Sequence, residues 1–146
     1  MRHSADAVII GSGTFLKDTP QLTDRTGLPR RRPLLRVVLD RRMRINHAPN
    51  FLVFRDSLTA LVEELYRREI QSFILECGPD LAFSALESGI IDKIVAFVAP
   101  KILGGREVPA IGGEGFERLA SALPLRFTYK SVGPDLMITA YVHGNN

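Results

Sequence analysis

Tryptophan is absent from this 146-residue chain, and cysteine occurs once, at Cys77. A lone cysteine cannot close an internal disulfide, so a reducing, cytoplasmic setting is expected. It also excludes a zinc finger and the His/Cys/Cys zinc centre of nucleobase deaminases. The three histidines, His3, His47 and His143, are scattered without ligand spacing, so no metal site is expected. No apolar run approaches the ~20 residues that a bilayer span requires, and no membrane partner is expected. The early apolar stretch "AVII" is cut short by Gly11, too soon for a secretory signal, so none is expected.

What is present is an ordinary globular balance, 45% hydrophobic and 24% charged. The length suits one domain with a hydrophobic core, residues 1–146. The net charge is +3, with the basic residues gathered in "RTGLPRRRPLLRVVLDRRMR" at 25–44. Such a run reads as a solvated edge, as a site for a phosphorylated small molecule or cofactor, or as a nucleic-acid surface. No aromatic interleaving or nucleic-acid motif accompanies it, so nucleic acid ranks last.

Apolar patterning predicts strands at 7–10, 34–40 and 51–54, then an amphipathic helix at 57–70. In that helix Leu58, Leu61, Val62 and Leu65 share one face, and Asp56 or Ser57 caps the start. A strand at 71–76, a helix at 81–88 and a strand at 93–99 follow. Two alternating strands at 126–132 and 136–142 flank Gly133-Pro134-Asp135 as a terminal hairpin. Strands alternating with helices, closed by an antiparallel ribbon, predict an α/β sheet that is mostly parallel with an antiparallel edge.

Three glycine turns follow apolar strands. In "FILECGPDLAFS" the strand ends on Glu76, and Gly78-Pro79 opens a helix whose Asp80, Leu81 and Ala82 amides would point at a ligand. Proline costs nothing in a first helical turn, and such a helix start favours phosphate. "GSGT" at 11–14 has Leu16 where a dinucleotide fingerprint needs its third glycine, and it lacks the G-K-[ST] of a P-loop. "PKILGG" at 100–105 is the third. Each alone is as readily a plain turn. Ligands of open α/β sheets sit beyond the carboxyl ends of strands, so the three are expected along one rim.

The segments "ADAVIIGSGTFLKDTPQLTDR", "RVVLD" and "SFILECGPDLAFSALESGIIDKIVAFVAPKILGG", with the closing hairpin, carry a resemblance. The chain resembles the reductase domain of the bifunctional riboflavin biosynthesis deaminase/reductase proteins, across nearly its whole length. The resemblance implies a dihydrofolate reductase-like fold with helices on both faces of the sheet. It implies NADPH-dependent reduction of the ribosyl group of 5-amino-6-(5-phosphoribosylamino)uracil to ribityl, by hydride transfer. A homodimer is expected as well, since a sheet without the family's first strand would expose unpaired backbone and apolar surface. The resemblance assigns cofactor contacts to Thr14, Asp18 and Arg41, and to the helix start Gly78, Pro79, Asp80, Leu81, Ala82, Phe83 and Ser84. Arg41 there would meet the 2′-phosphate. Substrate contacts fall on Arg2, Leu22, Arg25 and Glu76, with Glu76 or Asp18 assisting proton movement. Cys77 is not a nucleophile in this scheme.

The sequence departs from the family pattern in two places. The family's first strand, with a substrate-contacting lysine and serine, has no counterpart here, and neither has the deaminase domain. The stretch between Asp40 and Leu58 is also shorter than in the family. The competing expectation is therefore a catalytically silent or truncated nucleotide-binding or oligomerisation module of the same fold.

Overall fold

The computed structural model of the chain describes residues 1–105 and 109–143. Strands β1 (Ala7–Gly11), β2 (Leu35–Leu39), β3 (Leu52–Phe54) and β4 (Phe73–Leu75) form a parallel sheet in the order β3-β2-β1-β4. The register sets Ala7 beside Leu35 and Phe73, and Val37 beside Leu52. β1 and the second half of β2, Val37 to Leu39, are buried on both faces, which is why they read as apolar runs rather than alternating ones. Val8, Ile9, Ile10, Val37 and Val38 are at most 1% exposed. Burying each such side chain stabilises the fold by about 1.5–3 kcal/mol.

Helices cover both faces. On one, α2 (Leu58–Arg67) and α3 (Pro79–Glu87) set Leu58, Leu61, Leu65 and Ala85 against Ala7, Ile9, Val37 and Leu39. On the other, α1 (Ser12–Asp18) contributes Phe15, which packs with Leu22 and Ile45 on Val8, Ile10 and Val38. The choice left open at the start of α2 is settled in favour of Ser57, whose Oγ accepts from the Ala60 amide at 3.1 Å. Such a cap is worth ~1 kcal/mol, more than the exposed Glu64–Arg68 and Glu64–Arg67 pairs. α3 begins at Pro79, two residues before the expected start, because proline fits the first turn of a helix better than its interior.

Strands β5 (Lys93–Val98), β6 (Arg126–Val132) and β7 (Asp135–Tyr141) form a second, antiparallel sheet in the order β5-β7-β6. The single mixed sheet expected from the sequence is therefore in two pieces. β5 gives one edge to β7, and among the described residues it pairs with no strand of the first sheet, so β4 and β5 each have one edge without a strand partner there. No helix among the described residues is long and apolar enough to cross a membrane.

Candidate active site

Parallel strands bring their carboxyl ends to one rim, and the chain puts a distinctive turn after each of three neighbours. Gly11, Ser12, Gly13 and Thr14 end β1 and open α1. Arg41, Arg42 and Arg44 follow β2, and Gly78, Pro79, Asp80 and Leu81 follow β4. All of these line one pocket, with Leu39, of about 380 Å³. The expected third turn does not join them. Ile102 and Leu103 in "PKILGG" are 99% and 83% exposed, and the arginine loop takes that place on the rim.

At the start of α3, Gly78 is the N-cap with extended backbone, and its carbonyl accepts from the Ala82 amide at 3.1 Å. Ala82 therefore spends its N–H inside the helix, against the expectation that it points at a ligand. The amides of Asp80 and Leu81 have no carbonyl one turn back to bond. A Cβ built on Gly78 meets nothing within 4 Å, so open space lies over the helix start. Ala82, Phe83 and Ser84 do not line the pocket. Phe83 instead stacks edge-on against Phe116, with centroids 5.9 Å apart. A glycine pair from the loop after β5 closes over this turn: the Gly112 amide donates to the Pro79 carbonyl at 3.1 Å.

The proposed substrate residues fall into two groups. Arg2 and Glu76 meet in a two-pronged ion pair, Nε to Oε1 at 2.8 Å and Nη2 to Oε2 at 2.7 Å. This hydrogen bond raises the Arg2 pKa against the opposing effect of burial. The Glu76 amide donates to the Ile9 carbonyl at 2.9 Å, which fixes the residue just past the end of β4. Leu22, by contrast, is buried in the core at 3% exposure with φ +49°. Only its backbone is left to touch a substrate. Arg25 and Asp18 are exposed, Asp18 at the last position of α1. Thr14 lies in the pocket wall. Burial pushes the Cys77 thiol up to about 11, so it stays protonated at neutral pH.

Two buried or half-buried acids went unnoticed in the sequence. Asp24 lies 2.7 Å from His3 Nδ1 and 3.2 Å from Arg30 Nη1, while Arg30 also donates to the carbonyls of Arg2, His3 and Ala5. This network ties the 24–30 loop to the turn that carries Arg2. Burial works against the Asp24 charge, but His3, the Thr26 amide and Arg30 outweigh it and hold the carboxyl below the usual range. Asp40, wholly buried, ends β2 as Glu76 ends β4, and its Oδ2 accepts from the Ile45 amide at 2.8 Å. The apolar-strand-then-acid pattern that singled out Glu76 is equally present in "LLRVVLD".

The basic run thus divides. Arg30, Arg32 and Arg36 donate to backbone carbonyls, and Arg36 also lies over the Phe51 ring at 5.4 Å. Arg41, Arg42 and Arg44 line the pocket.

Known proteins agree with this architecture. The riboflavin biosynthesis protein RibD of Synechocystis is 34% identical over all of this chain and 48% of its own length. The chain thus spans about half the length of that relative. A 2,5-diamino-6-ribosylamino-4(3H)-pyrimidinone 5′-phosphate reductase of Methanothermobacter thermautotrophicus is 29% identical, covering 99% of this chain and 83% of that protein. In fold, the chain is similar to the deaminase/reductase of Thermotoga maritima, with TM-score 0.81 and 21% identity over 98% of this chain and 47% of that one. It is also similar to the dihydrofolate reductase of Enterococcus faecalis complexed with NADP(H), with TM-score 0.56 and 15% identity over 92% and 73%. The fold is accordingly dihydrofolate reductase-like. With the family model matching residues 1–135, the chain belongs to the RibD C-terminal domain family.

Proposed function

We propose that the chain is an NADPH-dependent reductase of riboflavin biosynthesis, acting on the ribosyl group of 5-amino-6-(5-phosphoribosylamino)uracil or a close relative. The observation that carries this is the single pocket where the turns after β1, β2 and β4 meet. One side offers the Asp80 and Leu81 amides of a helix start, and the other offers three arginines. Both suit anionic groups. The open space over Gly78 admits a diphosphate, and Thr14 adds a hydroxyl. NADPH, when bound there, would supply the hydride. The chain's part is to bind, orient and exclude water. Arg2, Glu76, Arg25 and the Leu22 backbone are proposed to hold the phosphorylated pyrimidine. Glu76 is the better placed of the two carboxylates to move a proton, because its backbone and side chain are both fixed. The test is calorimetric titration with NADPH and NADH, followed by turnover of the aminouracil substrate. Saturable binding that prefers NADPH, with product formed, is expected. Binding without turnover would favour the catalytically silent module.

We read the chain as one reductase-like domain, residues 1–146, working as a cytoplasmic homodimer. Support for the dimer comes from the second sheet, whose register places Phe127, Tyr129, Leu136, Ile138, Ala140, Ile94, Ala96 and Val98 on one face. Phe127 and Tyr129 are 62% and 71% exposed there, and adjacent exposed aromatics on one sheet face suit an interface. Sedimentation should give a dimer, and Phe127→Asp should shift it toward monomer. A monomer in the unaltered protein at micromolar concentration would sink this reading.

A further inference from the structure

NADPH carries two anionic groups, a diphosphate and a phosphate monoester on the adenosine ribose. α3 follows β4, and the arginine loop follows β2, on the other side of β1. Two strand spacings, about 10 Å, therefore separate the helix start from the arginines. If the helix start takes the diphosphate, the arginine loop is left with the monoester.

The three arginines of that loop are not equivalent. All are exposed and all line the pocket. Arg44 is held by a side-chain bond from its Nη2 to Ser12 Oγ at 2.7 Å, and among the described residues Arg41 and Arg42 have no such bond. The turn beneath is pinned from inside the protein. The Met43 amide donates to the Asp40 carbonyl at 3.1 Å, and the Ile45 amide to Asp40 Oδ2 at 2.8 Å. Met43 takes the left-handed conformation, φ +51°, that this tight path needs. Arg55 holds the far side through the Ile45 carbonyl at 3.1 Å. Asp40 Oδ1 is buried with no hydrogen-bond partner among the described residues. Such an atom is costly to bury. Burial opposes the Asp40 charge, but the Ile45 and Arg44 amides, the Ser12 hydroxyl and the Arg44 charge outweigh it and hold the carboxyl below the usual range.

We propose that Arg44 is the residue that selects the phosphorylated adenosine ribose, and that buried Asp40 is the positioning residue that holds the turn from which Arg44 reaches Ser12 and the ligand. The proposal rests on the NADPH reading above and replaces Arg41 by Arg44 as the discriminating group. An arginine already ordered loses less side-chain freedom on binding than one that is free. One of its five N–H donors goes to Ser12, and four remain for phosphate. Asp40 lies behind the turn, away from solvent, and holds the amides of Met43 and Ile45, so it fixes the backbone on either side of Arg44 without competing at the surface.

The test is calorimetric titration of the purified chain with NADPH, NADH, adenosine 2′,5′-bisphosphate and adenosine 5′-monophosphate. Arg44→Gln is expected to weaken NADPH and the bisphosphate by about 10- to 100-fold, leaving NADH and the monophosphate within about threefold. Arg41→Gln should weaken NADPH and the bisphosphate clearly less than Arg44→Gln does, because among the described residues no side-chain bond holds Arg41 in place. Asp40→Asn should cut the NADPH/NADH preference about tenfold and add nothing to Arg44→Gln, since both act through one contact. Should Asp40→Asn fail to fold by circular dichroism, Ser12→Ala carries the same expectation. Equal losses for NADPH and NADH in Arg44→Gln, or a larger effect from Arg41→Gln, would overturn the role of Arg44. Additivity of Asp40→Asn with Arg44→Gln would overturn the positioning role. If neither dinucleotide binds the unaltered chain, the functional reading itself fails, and this proposal with it.

Discussion

Gly78→Val is expected to lower NADPH affinity at least about a hundredfold, some 2.7 kcal/mol, while barely changing the stability of the fold. The two halves of that expectation have separate causes. Gly78 has an extended backbone, φ −74° and ψ 173°, which valine adopts readily and which a following proline favours. A Cβ there meets no atom within 4 Å. The fold thus loses only the small preference for glycine at an N-cap, within about 1 kcal/mol. The same empty space is where a diphosphate would have to approach the Asp80 and Leu81 amides, and a branched side chain fills it. Gly113 is the control. It has φ +72°, and a Cβ there would come within 2.2 Å of the Phe83 ring. Gly113→Val should therefore lower the urea midpoint as well as the affinity. Calorimetry and urea unfolding on both variants separate the cases. NADPH binding unchanged in Gly78→Val would remove the cofactor from this turn.

The second large effect is expected at Glu76. Glu76→Gln should reduce kcat by about 10²- to 10⁴-fold, with NADPH affinity unchanged, because a positioned acid or base contributes on that scale. Glutamine keeps the shape of the side chain but cannot exchange a proton at the reacting group. Asp18→Asn should cost much less turnover, since Asp18 is exposed at the end of α1. Arg2→Ala should lower kcat as well as raise KM. Arg2 grips Glu76 through both oxygens and donates to the Thr23 carbonyl at 3.1 Å, so it sets the geometry of the substrate side. Steady-state kinetics on the three variants decide it. A Glu76→Gln variant that raises KM and spares kcat would show that the carboxylate only binds.

Much of this architecture was legible because short-range patterns report it directly. Unbroken runs such as "AVII" and "VVL" belong to strand segments buried on both faces, and the three- and four-residue spacing from Leu58 to Leu65 belongs to a helix with one apolar face. Gly78-Pro79 announced a helix start, because proline at a first turn has a local cause. The failures came where a residue's role depends on what lies far along the chain. Leu22 was expected as a contact residue, but only its backbone is left for that, because its side chain lies in the core. "PKILGG" looked like its two sister turns, but it follows a strand of the other sheet.

Asp40 shows the division most clearly. Nothing within a few residues of it says that the carboxylate is buried, because burial depends on β1 lying beside β2 and on Ile45 folding back under the turn. Ser12 and Arg44 stand 32 residues apart and meet at 2.7 Å only because Gly11 and Leu39 are paired at the ends of neighbouring strands. The same applies to Arg2 and Glu76, 74 residues apart. The sequence by itself determined the strands, the helices and the kinds of turn, since backbone preference and hydrophobic period act over a few residues. Only the tertiary structure decided which turns share a pocket, which arginines are spent on the fold, and which acids are buried. Those outcomes depend on sheet order and register, which are set by packing between distant segments and not by local preference.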